Sequence, residues 1–327
     1  MKSISIEGVG SYLPERVVTN NDLAKVVDTS DEWIRTRTGI CERHLAAESE
    51  ACSDLAVRAA QRALEDDGLK PNDIDLLIVA TVTPDHVTPS AAVLIQAKLG
   101  LNSVPSFDMN AACSGFLYAL EATRSLLRDE RYRHALVIGS EKLSSIVNWE
   151  DRATCVLFGD GAGAFVLGNG ASDLPAIVDG LAGADGSAAN LLYVPAGGSA
   201  QPASKETVEG CLHTVTMNGK ELFKAAVRHM AEATEELLKR NGLTAEDIAW
   251  FVPHQANIRI VQALAQQLQV PMERFVCNIE HTGNTSAASI PIVFAQAMVE
   301  GRFCRGDRIV LVAFGAGLTW AATLVQW

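Results

Sequence analysis

Three residues have side chains suited to acyl transfer through a thioester, each where a strand-like or helical run meets small residues: Cys113, His254 and Asn284. Cys113 lies in DMNAACSGFLYALEA, flanked by small residues and followed by an amphipathic helical pattern. The N-terminus of such a helix favours thiolate over thiol, although a cysteine beside alanines also suits a small buried hydrophobe. His254 follows the apolar run WFVP and precedes another helical pattern, so its imidazole is expected at a strand's carboxyl end, where open α/β sheets place ligands. Read alone, it is equally a histidine hydrogen-bonded in a loop. Asn284, in NIEHTGNTSAASIPIVFA, suits a helix cap or a donor to a developing oxyanion. Together the three supply a nucleophile and two neutral donors for thioester chemistry. No Asp or Glu stands in the same positions, so a Cys-His-Asp hydrolase fits less well.

The elements that must position them read as alternating helices and strands. Residues 52–68 have helical spacing, LLIVAT at 76–81 suits a strand covered on both faces, SAAVLIQAKLG is helical and SFDMNAA strand-like. GFLYALEATRSLLRD is a longer helix and ALVIGSE another buried strand, an α/β layered pattern. The pattern also repeats. DGLKPNDIDLLIVAT at 67–81 resembles NGLTAEDIAWFVPHQ at 241–255, and the same separation carries ALVIGS at 135–140 onto IVLVAF at 309–314. It also sets the junction around Cys113 beside that around 284–287, so two similar α/β halves are expected. The division is residues 1–170 with the cysteine, a crossing or pocket-rim segment at 171–215 rich in Gly, Ala, Ser and Pro, and 216–327 with the histidine and asparagine.

Composition narrows the partners. Asp and Glu outnumber Lys and Arg, 39 to 27, a formal charge of −12 that argues against nucleic acid. The seven cysteines include no C-x2-C pair, so neither a disulfide framework nor a zinc knuckle is expected, and Cys155, Cys211, Cys277 and Cys304 read as structural. Glu7 and Gly8 stand where a secretory leader would be apolar. The uncharged stretch at 309–325 is broken by Gly315 and Gly317 and reads as two strands around a glycine loop, with no membrane span.

GSYLPE at 10–15, TSDEWIRTRTGI at 29–40, AACSGF at 111–116, LFGDGAGA at 157–164, VPHQAN at 252–257, GNTSAASIP at 283–291 and FGAGLTW at 314–320 together resemble the 3-oxoacyl-[acyl-carrier-protein] synthase III family. These are the initiating condensing enzymes of dissociated fatty-acid synthesis, within the thiolase-like superfamily, and the resemblance spans essentially the whole chain. It implies a thiolase-like duplicated fold with a layered α-β-α-β-α core. It also implies acyl transfer from acyl-CoA, by default acetyl-CoA, to Cys113. Decarboxylative condensation with malonyl-acyl carrier protein would follow, without metal or prosthetic group. His254 and Asn284 would complete the catalytic set, with backbone N–H groups at Cys113 and near Gly315 and Ala316 as the oxyanion hole. His281, three residues before Asn284, is expected to be a bystander.

The resemblance further pairs Trp33 and Arg152 around the adenine of coenzyme A, sets Arg37 on its diphosphate, and has Phe223 and Asn257 line the pantetheine tunnel. Lys224 and Arg259 would meet the acidic carrier protein. Gln266 and Gln267 stand where relatives can carry lysines, so Lys220 or Arg228 would share that role. Thr88, before Pro89, replaces an aromatic residue frequent at the loop that closes a dimer partner's acyl pocket, which leaves primer length open. A cytoplasmic homodimer is expected. The alternatives are a paralogue priming a longer or unusual acyl chain for secondary metabolism and a catalytically silent scaffold.

Overall fold

The computed structural model describes residues 4–169 and 175–327. Its strands are β1 (Ile4–Tyr12), β2 (Arg16–Thr19), β3 (Glu42–Leu45), β4 (Leu76–Ala80), β5 (Ser106–Met109), β6 (His134–Glu141), β7 (Gly161–Gly168), β8 (Ala176–Ala184), β9 (Leu192–Tyr193), β10 (Thr216–Met217), β11 (Trp250–Pro253), β12 (Arg308–Gly315) and β13 (Thr319–Gln326). Nine of them form one sheet in the order β11-β12-β13-β8-β1-β7-β6-β4-β5.

That sheet contains the same unit twice. In the first half β5, β4 and β6 run parallel and β7 and β1 antiparallel. In the second, Phe275 bridges β11, β11 pairs β12 in parallel, and β13 and β8 follow antiparallel. A two-residue ladder, Ile4–Ile177 and Ser5–Ala176, joins the halves.

Strand alternation then builds the layers, because successive side chains leave opposite faces. Leu77, Val79, Leu136 and Ile138 pack outward on Leu55, Ala59 and Ala63 of the Cys52–Asp67 helix and Ile95 of the Ala91–Leu99 helix. Ile78, Val137, Val252 and Leu311 face a shared interior filled by Phe116 and Leu120 of the Gly115–Leu126 helix and Ile290 and Phe294 of the Ser289–Val299 helix. Phe251, Val310 and Val312 pack on Met230 and Leu237 of the Gly219–Arg240 helix and Leu264 of the Ile258–Leu268 helix. The result is the expected α-β-α-β-α stack, its strands covered on both faces.

The expected domain boundary at 170–171 lies outside the described residues. Within the 171–215 segment, residues 176–184 form β8, a central strand that the sequence pattern does not suggest. AIVDGLAGA has little strand propensity, and its small residues answer to packing: a side chain on Gly183 would meet the Trp320 indole at 2.7 Å. The thiols are all free, but Cys211 and Cys304 are exposed, contrary to a structural reading of both.

Candidate active site

Cys113 lies in a tight turn, Ala112–Ser114, between β5 and the central Gly115–Leu126 helix. Its counterpart in the second half is the Ser286–Ala288 turn, which leads into the Ser289–Val299 helix. The two turns share a backbone device: Ala112 and Ser286, at matching positions, have φ of 47° and 48°, a left-handed conformation uncommon outside glycine. The duplication thus brings two helix entrances together at the centre of the molecule.

Gly315 closes the turn from the other side. A Cβ there would stand 2.7 Å from the Cys113 nitrogen, so glycine is needed for β12 to end against the cysteine. Ser114 Oγ donates to the Thr319 carbonyl at 3.1 Å, and Thr319 Oγ1 donates to Ala111 and Ala316 carbonyls at 2.9 and 3.1 Å. These bonds tie the Gly315–Ala316 loop to the cysteine turn.

Two cavities meet at Cys113. One, about 140 Å³, is lined by Cys113, His254, Asn284, Phe223, Asn257 and Gly315. The other, about 430 Å³, runs past Ser286 and Ala316 to Val82, Leu143, Ile146 and Val215. The three residues singled out first therefore share one cavity, whereas His281 is exposed, bonded to Glu42 at 3.1 Å, and borders a different groove.

His254 follows β11, its backbone N–H bonded to the Val312 carbonyl at 2.8 Å. Ser289 Oγ is 2.6 Å from His254 Nδ1 and accepts from the Gln255 N–H at 3.4 Å. In the tautomer with hydrogen on Nε2, Nδ1 accepts from the Ser289 hydroxyl and Nε2 is left as a donor. Burial pushes the imidazole down to about 3, so it is neutral.

Asn284 is fixed by its backbone, which exchanges bonds with Leu157 and Gly159 at 2.9 and 3.0 Å. Its Oδ1 accepts from the Ser286 N–H at 2.8 Å, but the N-caps of the two following helical segments are Thr285 and Ala288 rather than Asn284.

Cys113 departs from the expectation in one respect. Although it borders both cavities, it lies deep in the protein, and desolvation pushes its thiol up to about 12 against hydrogen bonding from Ser286 and its own N–H. The helix entrance alone does not make it a thiolate.

Trp33, on the Asp31–Thr38 helix, has the Arg37 guanidinium 4.6 Å and the Arg152 guanidinium 4.9 Å from its ring centre. Sequence positions far apart are thus gathered into one basic, aromatic patch. Lys224 and Arg259 are both exposed, Lys224 beside Glu221 at 3.2 Å, and Gln266 and Gln267 are exposed on the Arg259 helix. Thr88 sits on an exposed loop and lines neither cavity. Ser289, Ser286 and Leu192 carry no mark in the sequence pattern; the two serines lie within GNTSAASIP beside the asparagine, and Leu192 borders both cavities.

Known proteins carry the same architecture. Residues 107–186 match the family model for 3-oxoacyl-[acyl-carrier-protein] synthase III, and residues 238–327 match the model for its C-terminal part. The chain is similar to a beta-ketoacyl-[acyl-carrier-protein] synthase III from Caldanaerobacter subterraneus, 53% identical over 98% of this chain and 97% of the relative. It is also similar to the crystal structures of 3-oxoacyl-[acyl-carrier-protein] synthase III from Aquifex aeolicus (47% identity, TM-score 0.91, covering 99% and 100% of the two chains) and Pseudomonas aeruginosa (40%, 0.92, 99% and 98%). The chain belongs to the 3-oxoacyl-[acyl-carrier-protein] synthase III family, the acyl-transferring condensing enzymes that initiate fatty-acid synthesis.

Proposed function

We propose that Cys113 is the acylated nucleophile and that His254 and Asn284 are the donors for condensation. The observation that carries this is the single cavity the three side chains share with Phe223 and Asn257. Cys113 attacks the thioester of an acyl-CoA, by default acetyl-CoA, while N–H groups of Cys113 and the Gly315–Ala316 loop receive the tetrahedral oxyanion. Coenzyme A leaves and the acyl group occupies the second, apolar cavity. Malonyl-acyl carrier protein then enters through the first. As CO2 departs, enolate charge grows on the thioester oxygen, where the neutral His254 Nε2–H and the Asn284 amide donate. The enolate carbon attacks the acyl-enzyme, giving 3-oxoacyl-acyl carrier protein. No prosthetic group or metal takes part.

Trp33 and Arg152 hold the adenine between indole and guanidinium, Arg37 bonds the diphosphate, and Phe223 and Asn257 line the pantetheine tunnel. Because Arg152 already lies against Trp33, an entering adenine displaces it. Arg259 and Lys224 receive the acidic carrier protein, with Lys220 and Arg228 one turn to either side of Lys224 on the Gly219–Arg240 helix. The enzyme works as a homodimer in the cytoplasm. In support of a dimer, edge strand β5 carries the exposed Phe107, and Val87, on the loop before Pro89, is 97% exposed. The test is intact-protein mass after incubation with acyl-CoAs from acetyl upward, followed by malonyl-acyl carrier protein. A short adduct on Cys113, discharged as 3-oxoacyl product, is expected; no adduct from any acyl-CoA would overturn the reading.

A further inference from the structure

Arg43, on β3, is fully buried, and its hydrogen bonds go to uncharged oxygens alone. Its Nη1 donates to the Val18 carbonyl at 3.2 Å and to Asn20 Oδ1 at 2.9 Å, and its Nη2 donates to the Val156 carbonyl at 2.8 Å. Burial pushes the guanidinium down to about 10, so it still carries its charge at neutral pH. An enclosed cation with no carboxylate bonded to it is a poor device for stability. Its hydrogen bonds recover only part of a desolvation cost that an apolar side chain of like length would not incur. What the planar fork adds is direction, because it fixes oxygens of separate segments at set angles.

One of those segments carries the backbone of Asn284. Val156 leads into Leu157, Phe158 and Gly159, and this run pairs with the asparagine around a Phe158–Asn284 bridge. The Asn284 N–H donates to the Leu157 carbonyl at 2.9 Å and the Gly159 N–H to the Asn284 carbonyl at 3.0 Å. The stem of Arg43 packs at the same place. A Cβ on Gly283 would stand 3.1 Å from Arg43 Cβ and one on Gly159 3.2 Å from it, so both glycines let β3 lie close against the two stretches that hold Asn284. Cys41, two residues before Arg43, adds a bond from its N–H to the Glu280 carbonyl at 2.9 Å.

The other arm of the fork reaches the aromatic patch. Asn20 Nδ2 donates to Asp31 Oδ1 at 2.8 Å and to the Ile40 carbonyl at 2.7 Å, which brackets the Asp31–Thr38 helix that carries Trp33 and Arg37.

We propose that Arg43 is a positioning residue for Asn284: its fork locks the Val156–Gly159 run, and through that run it sets where the Asn284 amide meets the enolate oxygen. Arg43 lines neither cavity at Cys113. The cysteine turn is held from another side, by Gly315 and Thr319. Loosening Arg43 therefore displaces the donor for condensation and leaves the nucleophile in place.

The inference rests on Asn284 being a donor for condensation. The test uses the full chain and compares CO2 release from malonyl-acyl carrier protein with single-turnover acylation of Cys113. Acylation is read with an acetyl thioester of a pantetheine fragment, which lacks the nucleotide end and so bypasses Trp33 and Arg37. Arg43→Lys keeps the charge, but one ammonium cannot span both β2 and Val156. It is expected to release CO2 about 10- to 100-fold more slowly, the scale for a reacting group misplaced by up to about 1 Å, with acylation within about twofold of wild type. On an Asn284→Ala background the same substitution is expected to cost nothing further in CO2 release, because the group it positions is gone. A wild-type CO2 rate in Arg43→Lys, equal losses of CO2 release and acylation, or an undiminished loss on the Asn284→Ala background would each overturn the proposal. If Arg43→Lys does not fold, Asn20→Ala, which frees one arm of the fork, decides: slower CO2 release with acylation kept supports the proposal, and a wild-type CO2 rate or equal losses overturn it. A wild-type CO2 rate in Asn284→Ala instead overturns the assignment of Asn284 as the donor.

Discussion

The Ser289 hydroxyl, 2.6 Å from His254 Nδ1, ties down that end of the imidazole. When the hydroxyl donates to Nδ1, Nε2 carries the hydrogen and is a donor, which a developing enolate requires. Ser289→Ala removes the hydroxyl without touching the cavity wall. Malonyl decarboxylation is expected to fall about 10- to 100-fold, the usual scale for a misdirected donor, while acetylation of Cys113 changes little. Separate single-turnover assays of the two half-reactions check this; equal losses in both would contradict the tautomer assignment.

Asn284 gives a second test of donor direction. Its Oδ1 is held by the Ser286 N–H, so Asn284→Asp keeps that bond and places a negative oxygen where the amide hydrogens stood. A carboxylate there opposes enolate charge, whereas Asn284→Ala only removes a donor. Decarboxylation is expected to drop about 100- to 1,000-fold in the alanine variant and further in the aspartate variant. CO2 release measured side by side checks the order; an aspartate variant faster than alanine would mean that the amide is turned the other way.

Much of this site is legible in the sequence because chemistry and duplication leave local marks. Cys113, His254 and Asn284 each stand at the end of a periodic run, and the repeat predicts that their loops meet. The pairing of β11 with β12 and of β4 with β6 bears out the repeat. What stays hidden depends on contacts between distant segments. β8 is a strand because β13 and β1 flank it, which the propensities of AIVDGLAGA do not reveal. The Cys113 thiol follows burial rather than its helix entrance, and burial is set by the whole stack. Glu141 ends a strand like any surface acid, and only the folded structure shows it to be fully buried. Cys211 and Cys304 fail in the opposite sense, since apolar neighbours along the chain do not guarantee cover in space.

The Trp33–Arg152 contact predicts a substrate-specific defect. Indole and guanidinium are 4.9 Å apart, and the proposed assignment sets them on the nucleotide end of coenzyme A. Trp33→Ala or Arg152→Ala is expected to raise the KM for acetyl-CoA about tenfold, matching roughly 1–2 kcal/mol for a stacked, cationic contact. Acylation by an acetyl thioester of a pantetheine fragment lacking the nucleotide should be unchanged. Loss of activity toward both donors would place Trp33 in the fold's support instead.

Acid stability should carry the signature of His254. Its imidazole stands at about 3 in the folded protein against an ordinary 6.5, so folding favours the neutral form. The stability this contributes is fully present above pH 6.5 and is lost as pH falls toward 3, because the unfolded chain takes up the proton first. Compared with His254→Gln, which cannot titrate there, the wild type should lose roughly 4 kcal/mol more between pH 7 and pH 3.5. Glu141 works with the opposite sign: its carboxyl is raised from 4.5 to about 7, so its contribution is present below pH 4.5 and lost as pH rises through 7. Urea unfolding of the wild type and each variant across this range separates the two. A wild-type minus His254→Gln difference that does not move with pH would mean that the imidazole keeps its ordinary 6.5 in the fold; one that grows as pH falls would mean that it is charged there, and would remove the neutral donor on which condensation depends.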